Sequence, residues 1–275
     1  MIAALRFFII AAAAAYIGIC IYMYLQQRSL QYFPSNRNLD PTAAGLEGVS
    51  EEHLETPDGE TIVAWFAEAP RGRPTILFFH GNGGEVGDRA KRMAFYLSQG
   101  FGALFVSYRG YGKSSGHISE AGLLTDAITA HVWLVDHGVG PDQIAVVGES
   151  LGTAVSVQLV VHHQVAALAL EAPFASAADV AAKIYWWLPV RLLMKDTFDT
   201  KNYIAKVTVP LLIQHGDADA IIPVENGRNL FAMANEPKEL EIIPGAGHDV
   251  IHDQSLWERE LAFILRRIER KSAGQ

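Results

Sequence analysis

Apolar residues fall along this chain in three patterns. The first is unbroken: Phe7 to Leu25 reads FFIIAAAAAYIGICIYMYL, without a charged side chain. As a helix rising about 1.5 Å per residue it would extend about 28 Å, close to the hydrocarbon thickness of a bilayer. We read it as an uncleaved membrane anchor. A cleavable signal is the competing reading, because Ala11 to Ala15 offers small residues of the kind signal peptidase accepts. Cleavage there would leave the apolar Tyr16 to Leu25 on the mature end, and Ile19 is large for a position just before a lipid-modified Cys20. From Gln26 to about Gly48 the pattern dissolves into Pro-, Asn- and Gly-containing sequence without a period, which predicts a tether.

The second pattern is a series of short runs. Val49 to Thr56 and Thr61 to Phe66 flank Pro57-Asp58-Gly59, the signature of a hairpin. Six further runs follow: TILFF (75–79), ALFVS (103–107), IAVV (144–147), ALAL (167–170), LLIQ (211–214) and ELEII (239–243). They do not alternate apolar with polar, as strands covered on both faces should not. The third pattern has helical spacing: Leu124, Ala127, Ile128, His131 and Leu134 before Gly138, and later Trp257, Leu261, Ile264, Leu265 and Ile268. Alternation of run and helix predicts an α/β fold with a mostly parallel, doubly wound sheet. The expected layout is an anchor over 1–28, a tether over 29–48 and one domain over 49–271, with an insertion at about 174–205. Within the insertion, Ala175 to Leu188 predicts a short helix, Pro189 a break, and Val190 to Met194 a second short segment.

Composition adds limits. A chain of 275 residues that is 50% hydrophobic can bury one large core. The formal charge of −8 and the scattered Lys and Arg residues give no footprint for nucleic acid. The single cysteine, Cys20, excludes an intrachain disulfide framework. Arg6 on one side of the anchor is matched by Arg28 and Arg37 on the other, so charge does not orient it.

Two GxSxG patterns compete for the role of nucleophile turn: Gly112 to Gly116 around Ser114, and Gly148 to Gly152 around Ser150. Ligand crevices of such sheets lie at the carboxyl ends of strands, and only Ser150 sits between a strand run and the start of an apolar helical segment. Ser150 is therefore the candidate nucleophile and Ser114 a loop residue. Gly112-Lys113-Ser114 is not a P-loop, because the required upstream glycine position holds Ser107. Gly81-Asn82-Gly83 is not a dinucleotide fingerprint, because the third glycine position holds Val86.

A serine hydroxyl needs a histidine base and a carboxylate to orient it, in the chain order Ser, acid, His. His248, in the loop after the last strand run, is favoured over His252. His162 and His163 read as a polar helix terminus. Asp217 and Asp219 are both candidates for the acid, with Glu171 a third, and one of the two aspartates should stabilise the turn instead. Backbone N–H groups of Leu151 and of Asn82, in His80-Gly81-Asn82-Gly83-Gly84, are the expected oxyanion donors. No metal or organic cofactor is required.

Taken together, His80 to Gly83, Ser107 to Gly116, Gly148 to Gly152, His215 to Pro223 and Gly247-His248 resemble the α/β-hydrolase superfamily, more narrowly its membrane-anchored serine hydrolases related to depalmitoylases and lysophospholipid lipases. The resemblance covers about residues 30 to 270. In that family HGxxDxxVP carries the acid at its Asp, which falls on Asp219 here, with Ile222 in place of Val. The resemblance also implies that the loop from Tyr108 to Gly116 shapes the site floor, and that Gln31-Tyr32-Phe33-Pro34 matches the segment leading into the domain.

The small insertion favours an esterase or thioesterase acting on a small-molecule or lipid acyl ester, or on an acylated protein. An aminopeptidase of this superfamily generally carries a larger cap. A catalytically silent, membrane-tethered binding module is disfavoured because every position that catalysis needs is filled. Ile184 to Leu188, with Trp186 and Trp187, forms a greasy patch near the expected mouth. Such patches ordinarily pack a lid onto its core, and that is the expectation here, with acyl-chain or membrane contact as the alternative.

Overall fold

A computed structural model describes residues 1–35 and 37–272; Asn36, within the expected tether, lies outside the described residues. The chain begins with α1 (Ile2–Gln31) and a two-residue strand β1 (Phe33–Pro34), followed by the hairpin β2 (Ser50–Glu55) and β3 (Thr61–Ala67). Then come β4 (Thr75–Phe79), β5 (Gly83–Gly84), α2 (Ala90–Ser98), β6 (Gly102–Ser107), α3 (Glu120–Asp136), β7 (Ile144–Glu149) and α4 (Leu151–Val160). The remainder is β8 (Ala167–Glu171), α5 (Ala177–Ile184), α6 (Val190–Leu193), β9 (Leu211–Gly216), α7 (Glu225–Met233), β10 (Lys238–Ile243) and α8 (Gln254–Ser272).

Eight strands make one sheet in the order β10-β9-β8-β7-β4-β6-β3-β2. All neighbours are parallel except β2 with β3 and β3 with β6. The central runs were readable because both faces of the sheet are covered. Leu77, Phe79, Leu104 and Val146 belong to one buried cluster, with residues of α3 and α4. Their neighbours Ile76, Phe78, Phe105 and Val147 belong to the other, with residues of α2 and α8. Phe78 and Phe105 stack at 4.4 Å on that second face. Chain reversals that bring β4, β7, β8, β9 and β10 parallel put the loops after them on one rim, where a ligand crevice belongs.

Two expectations need correction. The anchor was expected to end at residue 28 with a loose tether after it. Instead α1 is long and apolar enough to cross a membrane but runs on to Gln31, and the chain beyond is docked. Phe33-Pro34 pairs with Gly83-Gly84 in a small parallel sheet, and Tyr32 is buried. A two-residue pairing leaves no period in the sequence, so it could not be read there. The aromatic patch of the insertion also does not pack inward: Trp186 is 81% exposed and only Leu188 of the patch is buried. The short helices α5 and α6 otherwise fall where the insertion predicted them.

Candidate active site

The turn between β7 and α4 is built around Ser150, held at φ 49° and ψ −111°. Its flanking glycines are required by close backbone approach. A Cβ on Gly148 would lie 2.6 Å from Gly152 O, and one on Gly152 would lie 2.0 Å from Phe79 O. The Ser150 N–H donates to Glu171 O at 2.9 Å, tying the turn to β8. Leu151 is the first residue of α4, where backbone N–H groups have no partner within the helix. Ser114 has a different use. Its buried hydroxyl donates to Ser107 O at 2.7 Å and accepts from Val63 N–H at 2.8 Å, fastening its loop to the hairpin.

The two aspartates after β9 separate cleanly. Asp217 Oδ1 accepts the Gly245 N–H at 2.6 Å, closing the turn that leads to His248. Asp219 is buried, with Oδ1 accepting the N–H groups of Ile221 (2.9 Å) and Ile222 (2.8 Å). Its Oδ2 lies 2.7 Å from His248 Nδ1 and 3.5 Å from His215 Nε2, whose proton goes to Ile222 O. Burial alone would raise this carboxyl, but the two histidines and the Ile222 N–H hold it well below the usual carboxylate range. Its oxygens all serve as acceptors, so His248 Nδ1 carries the proton shared with Oδ2, and Nε2 remains as the basic nitrogen. His252 ends the short 3-10 turn that His248 begins. His162 and His163 follow the end of α4, their N–H groups on Leu159 O. Glu171 points away from this site and meets Arg92 of α2 at 2.6 Å and 2.7 Å.

The loop after β4 is held from several directions. Asn82 O accepts the Tyr111 hydroxyl and the Phe33 N–H, both at 2.9 Å, while Asn82 Nδ2 donates to Gln31 O at 3.0 Å. The Gly81 N–H donates to Glu149 Oε1 at 3.2 Å. Glu149 in turn pairs with Arg89, which also donates to Gly83 O at 2.9 Å. Burial would raise Glu149, yet the adjacent guanidinium holds it down to about 2. His80 sits beneath the loop, its Nδ1 2.6 Å from Gly81 O. Burial pushes that imidazole down to about 3, so it is neutral at physiological pH. The Arg89–Glu149 pair was missed in the sequence. A Glu inside GxSxG and an Arg in GDRAKR give no sign that they meet.

Comparison with known proteins points one way. The alpha/beta hydrolase fold family matches residues 74–202, and the serine aminopeptidase S33 family matches residues 190–255. The uncharacterized protein Rv2307c of Mycobacterium tuberculosis is 38% identical over 235 residues, 84% of each chain. Protein bem46 of Schizosaccharomyces pombe is 32% identical over 79% of this chain and 78% of its own. The chain belongs to the α/β-hydrolase family. Alpha/beta hydrolase domain-containing protein 17B of Xenopus tropicalis is 33% identical over 70% of this hydrolase and 67% of its own length. Among solved structures, an esterase from Pyrococcus furiosus superposes with a TM-score of 0.69 over 86% of this hydrolase and 98% of that chain, at 20% identity.

In this hydrolase Ser150, Leu151, Asn82 and His248 line one cavity of about 460 Å³, within the usual range for small-ligand sites. One wall comes from the lid elements α5 and α6 and the opposite one from the last turns of α1. The lining is mostly aliphatic and aromatic, and among the described residues no Asp or Glu side chain contributes to it. Among the described residues no group of three or more His, Cys, Asp or Glu is placed to hold a metal ion.

Proposed function

We propose that this protein is a serine hydrolase that cleaves carboxylic ester or thioester bonds of apolar acyl substrates, through an acyl-Ser150 intermediate. The observation that carries the reading is the His248–Asp219 hydrogen bond beside an apolar cavity that Ser150 and His248 share. His248 Nε2 takes the proton as Ser150 Oγ bonds to the acyl carbon. The carbonyl oxygen gains the charge and meets the N–H groups of Asn82 and Leu151. The carbon–oxygen or carbon–sulfur bond then breaks, and the leaving alcohol or thiol receives the proton from His248. Water, deprotonated by His248, attacks the acyl-enzyme, and the acid leaves with Ser150 Oγ–H restored. Asp219 orients the imidazole and offsets the charge it gains.

The aminopeptidase reading draws on the S33 match over residues 190–255. It is disfavoured because a peptide amine needs an anion, and the described lining supplies none. We further propose that α1 holds the enzyme on a membrane as a single-pass anchor, which its length and composition permit.

Ser150→Ala in the full chain tests the assignment. Turnover of a chromogenic acyl ester should fall by about 10³-fold or more, with residual catalysis over water, and fluorophosphonate labelling should vanish. Unchanged turnover would reject Ser150 as nucleophile. Absence of labelling in folded wild-type protein would favour the silent binding module.

A further inference from the structure

Helix α1 and the lid are bonded along their length. The Tyr16 hydroxyl donates to Trp187 O at 2.9 Å, and Gln27 exchanges bonds with Leu193 O (3.2 Å) and Lys195 N–H (2.7 Å). Arg28 pairs with Asp196 at 2.8 Å, and Gln31 Nε2 donates to Asp196 O at 3.1 Å. The lid segment 187–196 therefore follows α1 from Tyr16 to Gln31, a distance of about 22 Å at helical rise. Tyr16 is also the middle of the charge-free stretch Phe7 to Leu25.

These two facts fix a depth. If that stretch crosses the hydrocarbon, Tyr16 lies about 13 Å further in than Leu25, and helical side chains tilt further toward the N-terminus. The Trp187 carbonyl is held at that level, so the turn between α5 and α6 cannot rest above the lipid surface. Its composition agrees: Trp186 and Leu192 (83% exposed) turn outward from the domain, an arrangement unfavourable in water and favourable in lipid. Arg191 and Lys201 near the turn both pair with Asp179, while the exposed Lys183 beside Ile184 has an alkyl stem long enough to carry its ammonium toward the headgroups. At the other end, Gln31 lies about 9 Å beyond Leu25, at the level of lipid headgroups. There it holds Asn82, at the candidate oxyanion site. Lipid ester carbonyls lie at the same boundary between headgroups and chains.

We propose that the cavity is loaded from within the bilayer. The substrate is a membrane lipid ester whose acyl chain lies between Met23 and Leu30 of α1 and Ile184 and Leu193 of the lid, residues that line the cavity. Its carbonyl then meets Ser150 without the chain crossing water. This rests on the serine-hydrolase reading and adds the source of the substrate and its route. Both ends of the α1–lid seam are bonded, at Tyr16 and at Arg28. Between them Met23 and Tyr24 of α1 and Leu193 of the lid line the cavity with apolar surface suited to an acyl chain.

The test uses the full chain in vesicles, with three substrates: a soluble butyrate ester, a long-chain lipid ester in the same vesicles, and an S-acylated peptide in the same vesicles. The paired substitution Trp186→Ser and Leu192→Ser changes exposed side chains that do not line the cavity. It should lower lipid-ester turnover by about tenfold or more, and soluble-ester turnover by less than about twofold. Lipids brominated along the chain should quench wild-type tryptophan fluorescence, and much less so after Trp186→Phe with Trp187→Phe. Equal quenching in both proteins, or unchanged lipid-ester turnover in the Ser pair, would overturn the proposal. Preference for the S-acylated peptide over the lipid ester would overturn it too, while leaving the hydrolase reading intact. Loss of soluble-ester turnover in the wild type would remove the hydrolase reading and this proposal with it.

Discussion

Replacing Asp219 by Asn tests the proposed triad through geometry, because the substitution removes one charge and almost no volume. The new amide has one oxygen and one NH2 group. Two backbone donors, Ile221 and Ile222 N–H, meet Oδ1 at 2.9 Å and 2.8 Å. Turning the NH2 toward them would oppose donors to donors, leaving the buried Ile222 N–H unsatisfied at about 1–3 kcal/mol and the part-buried Ile221 N–H without its acceptor. The amide oxygen therefore stays there, and the NH2 faces His248 Nδ1, where Oδ2 now lies at 2.7 Å. Nδ1 must then accept, which moves the ring proton to Nε2, the atom that has to take the Ser150 proton. The expected loss in kcat is about 10³ to 10⁴, or about 4–5.5 kcal/mol of transition-state stabilisation. KM should change little, since Asp219 does not line the cavity. Steady-state kinetics on a chromogenic ester, with fluorophosphonate labelling rates, would measure it. A loss of less than about tenfold would refute the orienting role of Asp219.

Three further outcomes are expected. Ser114→Ala should leave ester turnover within about threefold of wild type while costing about 1–3 kcal/mol in urea unfolding, because the Val63 N–H loses its acceptor. Arg89→Leu leaves Glu149 buried without its cation; unfolding should become easier by about 3–5 kcal/mol, and a stability equal to wild type would contradict the account of this pair. Burial raises Glu171 to about 8 despite Arg92 and with Glu260 nearby, whereas the unfolded chain titrates it near pH 4.3. Between those values only the folded state keeps the proton, so ionic linkage makes stability fall as pH rises. Glu171→Gln should flatten that slope, by roughly 2–5 kcal/mol over pH 5 to 8.5, in denaturation curves taken across the range.

The parts legible in the sequence were those whose environment is uniform. Strands apolar on both faces and a long charge-free helix announce themselves, and Gly148 and Gly152 mark a turn that only glycine permits. Ser150, Asp219 and His248 could be proposed as site residues because each lies in a turn or loop that follows a strand run. Helix α2 was not read, since its inward face carries Arg92, whose guanidinium is buried between Glu171 and Glu260. Charge there looks like solvent exposure until the partners, 79 and 168 residues away, are folded against it. Turn chemistry alone leaves Asp217 and Asp219 both open, and only the resemblance points to Asp219; the fold separates them by which one meets Gly245 and which His248. The outward tryptophans belong to the same class, because a sequence does not say whether a greasy turn faces the core or the outside.

The bond from Asn82 to Gln31 has a practical corollary for purification. Trimming hydrophobic leaders to obtain a freely soluble enzyme is routine, and here it would amputate part of the site. A chain started after Pro34 would forfeit the Gln31 carbonyl, the Phe33 amide that meets Asn82, the buried Tyr32 ring and one side of the cavity. Kinetics gathered on such a fragment would describe a protein whose cavity has lost one side and stands open to water.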